Sequence, residues 1–528
     1  MDTIRSRFLA LRPEIEQIMT AAGVAGLTYG IFHQGQLVHT DNFGYRDVEK
    51  RLPIDEDTMF PICSMTKGMV SSVLGMLVEE KKLSFDDYVT DLLPSFDPPN
   101  QAFKSTSRLS DWLSMQSGTQ GYQCWVQSEN NIIIAKDDAM KVINGLRLKA
   151  DMRTEFTYSN WGYELASRVI QELTGESWDE HVHKRIFEPL QLARTDARGK
   201  YKEFGNFATP YMALDDATPI TIPQTPISSA TLNGAAGGIR SCMKDLLVLY
   251  QAVLTACIDQ FRSGKISTEN SVFKNLIKTM SPHNQLPGHS LRESSYGYGW
   301  IRTQLPNQMC RISPNYELLG EEPVLGEGAP PKLLISHYGS MPGSFCGVNL
   351  FPETESFVVM LSNSTPMCDS ADWFTQLLTQ TLFDFPKKND YLKWVKRSVE
   401  AEREWYPKIS KELDDARNPD TEPKELRDYV GSYVNEEEYF MIAIKIDDGR
   451  LIMSFQGRTD EEFELRHYEH DTFCWLQPRN DLVKRARNVL QPAKYYLISF
   501  HVKDNGEVDH LSWVNDGAVP EGQKFIKQ

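Results

Sequence analysis

The separation between strand-like and helical segments constrains this fold most. Residues 25–32 and 37–40 read as a hairpin turning at Gln34-Gly35-Gln36. Comparable strand signals return only at 332–337, and then at 347–351 and 356–361, which flank the turn Pro352-Glu353-Thr354-Glu355. Between about 64 and 280 the apolar residues recur at helical spacing, broken by turns such as Ser117-Gly118 and Ala236-Gly237-Gly238. Strands at both ends of a helical stretch bury their faces economically when the ends share one sheet. Residues 1–385 therefore read as one closed α+β unit, entered by a helix whose stripe is Ile4, Phe8, Leu11, Ile15 and Ile18.

Past that unit the pattern changes twice. Residues 386–422 are a charged helical run ending in Asn418-Pro419-Asp420-Thr421-Glu422, read as a linker helix and loop. From 423 to 528 short strands return, with 440–446 and 450–455 around Asp447-Asp448-Gly449, and 495–500 and 511–514 around Asp504-Asn505-Gly506. Short strands at short spacing predict a small all-β sandwich or barrel.

Charge and end sequences narrow the partners. Lys and Arg number 56 against 72 Asp and Glu, a formal net charge of −16. Nucleic acids and anionic membranes select clustered cations, so neither is an expected partner. After Arg5 and Arg7 the apolar run 8–11 is far shorter than the roughly 7–15 residues of a secretory leader. No run reaches the ~18 apolar residues of a membrane span, and a cytoplasmic location is expected. Eight scattered cysteines without a Cys-x-x-Cys pair predict reduced, buried thiols. His181 and His183 stand two apart on a predicted helix, on different faces, and His467 and His470 lie in a strand-rich region. No metal or other cofactor is expected.

Three short motifs carry possible chemistry. Ser64-Met65-Thr66-Lys67 opens an apolar helix, where positions three apart share a face. Lys67 can then take the Ser64 proton if burial lowers its pKa. The same spacing at Ser241–Lys244 and Ser271–Lys274 reads as a helix cap followed by a surface lysine. Tyr158-Ser159-Asn160 precedes a second apolar helix: on its own it reads as Ser159 or Asn160 capping that helix while Tyr158 packs, and in company its phenol can shuttle protons and its amide hold Lys67 or a substrate carbonyl. His337-Tyr338-Gly339, at a strand end, precedes Ser340-Met341-Pro342-Gly343. Glycine there lets a substrate backbone approach closely.

Taken in order, Ser-x-x-Lys, Tyr-x-Asn and His-x-Gly resemble the serine β-lactamase and penicillin-binding-protein superfamily. The class C β-lactamase, D-aminopeptidase and carboxylesterase branch is the most similar. Supporting stretches are Gly44-Tyr45-Arg46-Asp47, residues 82–94, Ala235-Ala236-Gly237-Gly238-Ile239 and Tyr296-Gly297-Tyr298-Gly299-Trp300. The resemblance implies an antiparallel sheet flanked by helices with a helical subdomain. It makes Ser64 the acyl-forming nucleophile, Lys67 and Tyr158 the proton-transfer pair, and Asn160 their hydrogen-bonding partner. His337 then stands where many relatives have Lys, beside Gly339, and the backbone N–H groups of Ser64 and Ser340 form an oxyanion hole. Met115 stands where relatives often carry His. Residues 420–528, through Tyr429-Val430-Gly431-Ser432-Tyr433, resemble a lipocalin-like C-terminal domain.

The activity implied is a cofactor-free serine hydrolase acting on an ester or amide of a small molecule or short peptide. An acyltransferase would use the same acyl-enzyme with an alcohol or amine acceptor. A catalytically silent binding or scaffold relative is the third reading, and a homo-oligomer is compatible with all three. Cleft walls are expected at 118–131, with Tyr122, Cys124 and Trp125, and at Pro323–Pro331. No Gly-x-Ser-x-Gly elbow or nucleotide-type glycine loop is present.

Overall fold

Nine strands make the main sheet: β1 (Gly26–His33), β2 (Gln36–Asp47), β3 (Leu52–Pro53), β4 (Asn284–Gln285), β5 (Ser294–Tyr296), β6 (Ile301–Leu305), β7 (Lys332–Met341), β8 (Ser344–Phe351) and β9 (Ser356–Ser362). Their spatial order is β3-β2-β1-β9-β8-β7-β6-β5-β4. The computed structural model describes residues 2–121, 132–309, 311–517 and 519–528. Gln34 and Gly35 both have positive φ, 51° and 76°, which gives the β1–β2 hairpin the turn twist that matches its strands. β1 then pairs antiparallel with β9, from Leu27 opposite Ser362 to Phe32 opposite Phe357. The two ends of the unit do share one sheet.

Alternation along these central strands sorts the two faces. Leu27, Tyr29 and Ile31 of β1, with Val358 and Met360 of β9, pack beneath α1 (Asp2–Ala22). Phe32, Phe357, Val359 and Leu361 face the opposite side, with α2 (Thr66–Glu79), α3 (Trp161–Thr174) and α4 (Met243–Ser263). The stripe Phe8, Leu11, Ile15 and Ile18 is buried as its spacing predicts. α5 (Ser370–Phe383) completes the layer beside α1.

The charged run after the sheet is not a free linker. α6 (Tyr391–Ala416) buries Tyr391, Val395 and Val399 with α1 and α5, and Tyr406, Ile409 and Leu413 with the C-terminal strands. Those positions recur at steps of three, four or seven residues, so one apolar stripe serves two cores. The C-terminal strands form a closed eight-stranded antiparallel barrel, from Gly431–Asn435 to Gln523–Lys527, sealed where Tyr433 meets Lys527. Aromatic rings of Phe440, Phe455, Trp475, Trp513 and Phe525 fill it, with centroids 5.2–6.4 Å apart. Eight strands leave just enough interior for such side chains.

Several local expectations change. The strand expected at 495 begins at Leu497, because Ala493–Tyr496 forms a 3₁₀ turn. The Tyr495 carbonyl there accepts hydrogen bonds from Trp475 and Trp513 Nε1 at 3.2 and 2.8 Å. Ser241 lies in a short strand while Cys242 precedes α4, and Ser271 caps no helix, the next one beginning at Leu276. The strand expected to end at His337 continues to Met341, because β8 pairs with it through Met341–Ser344. Among the described residues, no helix is long and apolar enough to cross a membrane.

Candidate active site

Ser64 lies in a 3₁₀ turn, Cys63–Met65, immediately before α2. The preceding residues are pinned: Phe60 and Pro61 pair with Ser241 and Arg240, and the Ile62 N–H donates to Ile239 O at 3.0 Å. Cys63 then takes a left-handed φ of 47°. A non-glycine residue there costs roughly 1–2 kcal/mol, a strain held by this packing. The bend leaves Ser64 half-buried at the head of a helix whose residues 66–77 are all buried.

Lys67 is fully buried one turn on. Its Nζ donates to Ser64 Oγ at 2.8 Å, Asn160 Oδ1 at 2.7 Å and Ala236 O at 2.9 Å. None of the three acceptors is anionic, and burial outweighs a smaller upward pull from Cys63, lowering the Lys67 pKa to about 7. The Nζ also lies 5.1 and 5.4 Å from the ring centroids of Tyr158 and Tyr163. From the other side the Tyr158 hydroxyl donates to Ser64 Oγ at 2.9 Å. Ser64, Lys67, Tyr158 and Asn160, separated in sequence, are thus one hydrogen-bonded cluster.

Surrounding groups fix these positions. Asn160 precedes α3, its carbonyl accepting from Tyr163 N and Glu164 N at 3.1 and 3.2 Å, which orients the amide toward Lys67. Buried Glu164, which motif reading did not single out, accepts from Asn233 N at 2.8 Å and from Arg168 Nε at 3.0 Å. It thereby anchors the segment that carries Ala236. Met115, standing where relatives often have His, accepts at Sδ from the Ser159 N–H at 3.2 Å. Gly299 has φ 78°, and a Cβ there would sit 2.8 Å from the Lys67 carbonyl carbon. Only glycine lets that loop close onto α2 at this point.

His337 is buried, with Nδ1 2.7 Å from Tyr338 O and Nε2 3.0 Å from the Tyr296 hydroxyl. A carbonyl only accepts, so Nδ1 carries the proton, and Nε2 of the neutral ring accepts from Tyr296. Burial, with a smaller push from Lys67, lowers the His337 pKa to about 3. The ring is therefore neutral rather than the cation a lysine would supply. Tyr296 was visible only as part of a matching motif, and its partnership with His337 required the fold.

β6 pairs with β7 only through residues 332–336, so 337–341 run beyond it beside the Ser64 turn. A Cβ on Gly339 would sit 2.7 Å from Cys63 Cβ and 2.8 Å from Ile62 O, which explains the glycine. Ser340 follows, exposed, on the wall of the cleft that also holds Ser64. That cleft has a volume of about 390 Å³.

The walls differ from expectation. Residues 122–131, with Tyr122, Cys124 and Trp125, lie outside the described residues. Pro323–Pro331 does not line the cleft: Leu325 and Ala329 instead join the small core of Leu305, Leu334 and Phe385. Ile312, Pro314 and Leu318, just upstream, take that place. A second wall, absent from the sequence reading, comes from the C-terminal barrel at Arg479 and 487–490. His181 Nε2 meets Thr174 Oγ1 at 3.0 Å, His183 Nε2 accepts from Ala197 N, and His467 Nε2 contacts His470 O. Among the described residues, no His, Cys, Asp and Glu cluster has metal-holding geometry.

Comparison with known proteins places the chain by family and fold. The Beta-lactamase family model matches residues 11–381, and a domain of unknown function (DUF3471) matches 415–524. Protein flp of Staphylococcus aureus (strain MW2) is 25% identical over 209 residues, 39% of this chain and 41% of that protein. Teichoic acid D-alanine hydrolase of Staphylococcus aureus is 30% identical over 168 residues, 31% of this chain and 39% of that protein. The match thus spans about two fifths of the length of these relatives. The solved octameric penicillin-binding protein homologue from Pyrococcus abyssi shares the fold at a TM-score of 0.57 and 21% identity, over 98% of this chain and 99% of its own. With a family model covering most of its length and a matching fold, the chain belongs to the beta-lactamase family of serine hydrolases.

Proposed function

We propose that this protein cleaves an ester or amide of a small molecule or short peptide through an acyl-Ser64 intermediate. The observation that carries the reading is the pair of groups on one oxygen, Lys67 Nζ at 2.8 Å and Tyr158 OH at 2.9 Å from Ser64 Oγ. When Lys67 loses its proton, its hydrogen bond to Ser64 reverses and Oγ–H donates to Nζ. Attack on the substrate carbonyl then forms the Oγ–C bond as the Oγ proton passes to Nζ. Collapse breaks the bond to the leaving group, which takes a proton through the Lys67–Tyr158 pair. Water repeats the sequence on the acyl-enzyme and releases the acid.

The backbone N–H groups of Ser64 and Ser340 are proposed as the oxyanion donors, each worth about 2.7–4 kcal/mol of barrier in comparable sites. Neutral His337, held by Tyr296, presents no charge and orients the strand edge. The relative named teichoic acid D-alanine hydrolase makes D-alanine derivatives one of the first substrate classes to assay. An added alcohol or amine in the same assay separates hydrolysis from acyl transfer by product. The decisive experiment is intact mass after exposure to a fluorophosphonate. A single adduct on wild type and none on Ser64→Ala is expected, whereas an adduct that survives the substitution overturns the reading.

A further inference from the structure

The C-terminal barrel reaches into the cleft that holds Ser64. Between the short helix Arg479–Lys484 and the turn Ala493–Tyr496, the chain presents Asn488, Val489 and Leu490 to that cleft. Leu490 is only partly buried, as is Leu318 on the segment after β6. Among the described residues, neither is part of an apolar core cluster, yet both line the cleft. Partly exposed leucines directed into an enzyme cleft are the usual apolar lining of a ligand pocket.

This barrel segment is fixed in place. Arg479 Nη2 pairs with Glu402 Oε1 of α6 at 2.7 Å, both side chains under 10% exposed, and Nη1 donates to Ala213 O at 3.2 Å. Asn480 Oδ1 accepts from Asp215 N at 3.1 Å, and the buried Arg487 pairs with Glu461 inside the barrel. Ala213, Glu402 and Arg479 line the same cleft. A wall held by buried, directional pairs keeps its distance from Ser64, which a selective site requires.

We propose that Leu490 and Val489 of the barrel, with Leu318, form the subsite for an apolar chain of the substrate, so that the C-terminal domain sets chain-length selectivity. The proposal rests on the acyl-Ser64 reading and adds the substrate class: acyl compounds bearing an extended aliphatic group. Bulk placed at Leu490 or at Leu318, both on the cleft lining, shortens the subsite.

The test compares kcat/KM for p-nitrophenyl acetate, butanoate, hexanoate and octanoate in wild type, Leu490→Trp and Leu318→Trp, with fluorophosphonate labelling of Ser64 measured in each. Wild type is expected to favour a longer ester over acetate at least tenfold. Each tryptophan variant should lower the ratio of octanoate to acetate at least tenfold. A wild type without chain-length preference, or unchanged ratios in both labelled variants, overturns the subsite. Absence of Ser64 labelling in wild type instead overturns the acyl-enzyme reading beneath it.

Discussion

At the scale of single residues, Lys67 is the group whose environment decides the chemistry. Its ordinary pKa of 10.5 is brought to about 7 because burial removes its water and the three acceptors that replace it are neutral. Only the neutral amine can take the Ser64 proton, and that form predominates above the shifted value. kcat/KM for a neutral ester is therefore expected to fall about tenfold per pH unit below pH 7 and to level off above it. His337, lowered to about 3, stays neutral throughout and adds no limb between pH 5 and 9. A flat profile from pH 5 to 8, measured with that ester, contradicts this assignment of the base. His337 also shows where sequence stopped: its place in the motif was legible, but its charge state depends on burial and on Tyr296, which lies 41 positions away.

Among elements, the junction of α2 with the 296–300 loop is the most sensitive. Gly299→Ala adds a Cβ 2.8 Å from the Lys67 carbonyl carbon at a φ of 78°, so either the loop or the helix must move. The expected cost is about 2–3 kcal/mol in denaturant unfolding, combining left-handed strain with overpacking. Moving Lys67 by a fraction of an ångström should also cut kcat at least tenfold. Wild-type stability and kcat in this variant would rule out a close-packing role for Gly299. The helices that carry Ser64 and Asn160 were legible because apolar spacing and motif fell together. α6 was only half legible: its charges suggested a linker, while the stripe Tyr391, Val395, Val399, Tyr406, Ile409 and Leu413 lay in the same sequence. The stripe wins because each of those residues finds a core.

For the whole molecule, the Arg479–Glu402 pair is a buried ionic tie between the barrel and α6. Glu402→Gln leaves the buried guanidinium without its anion and is expected to cost about 3–5 kcal/mol. Replacing both partners, as Glu402→Leu with Arg479→Met, should recover most of that loss, since paired apolar groups bear no desolvation penalty. Thermal unfolding of the two variants measures the difference, and equal losses contradict the tie. No local pattern in the sequence could expose this contact, because Glu402 sits in a run that reads as charged and its partner Arg479 lies 77 positions further on.

The pairing of β1 with β9 reaches into the life of the nascent chain. Residues 26–33 leave the ribosome long before the strand they pair with, 356–362, which is made only after all the intervening helices. At ~5–20 residues per second, the N-terminal hairpin waits tens of seconds with an open edge. During synthesis that edge is the stretch most in need of chaperone cover, and any ribosome that stops short of residue 356 releases a sheet with its central seam unjoined.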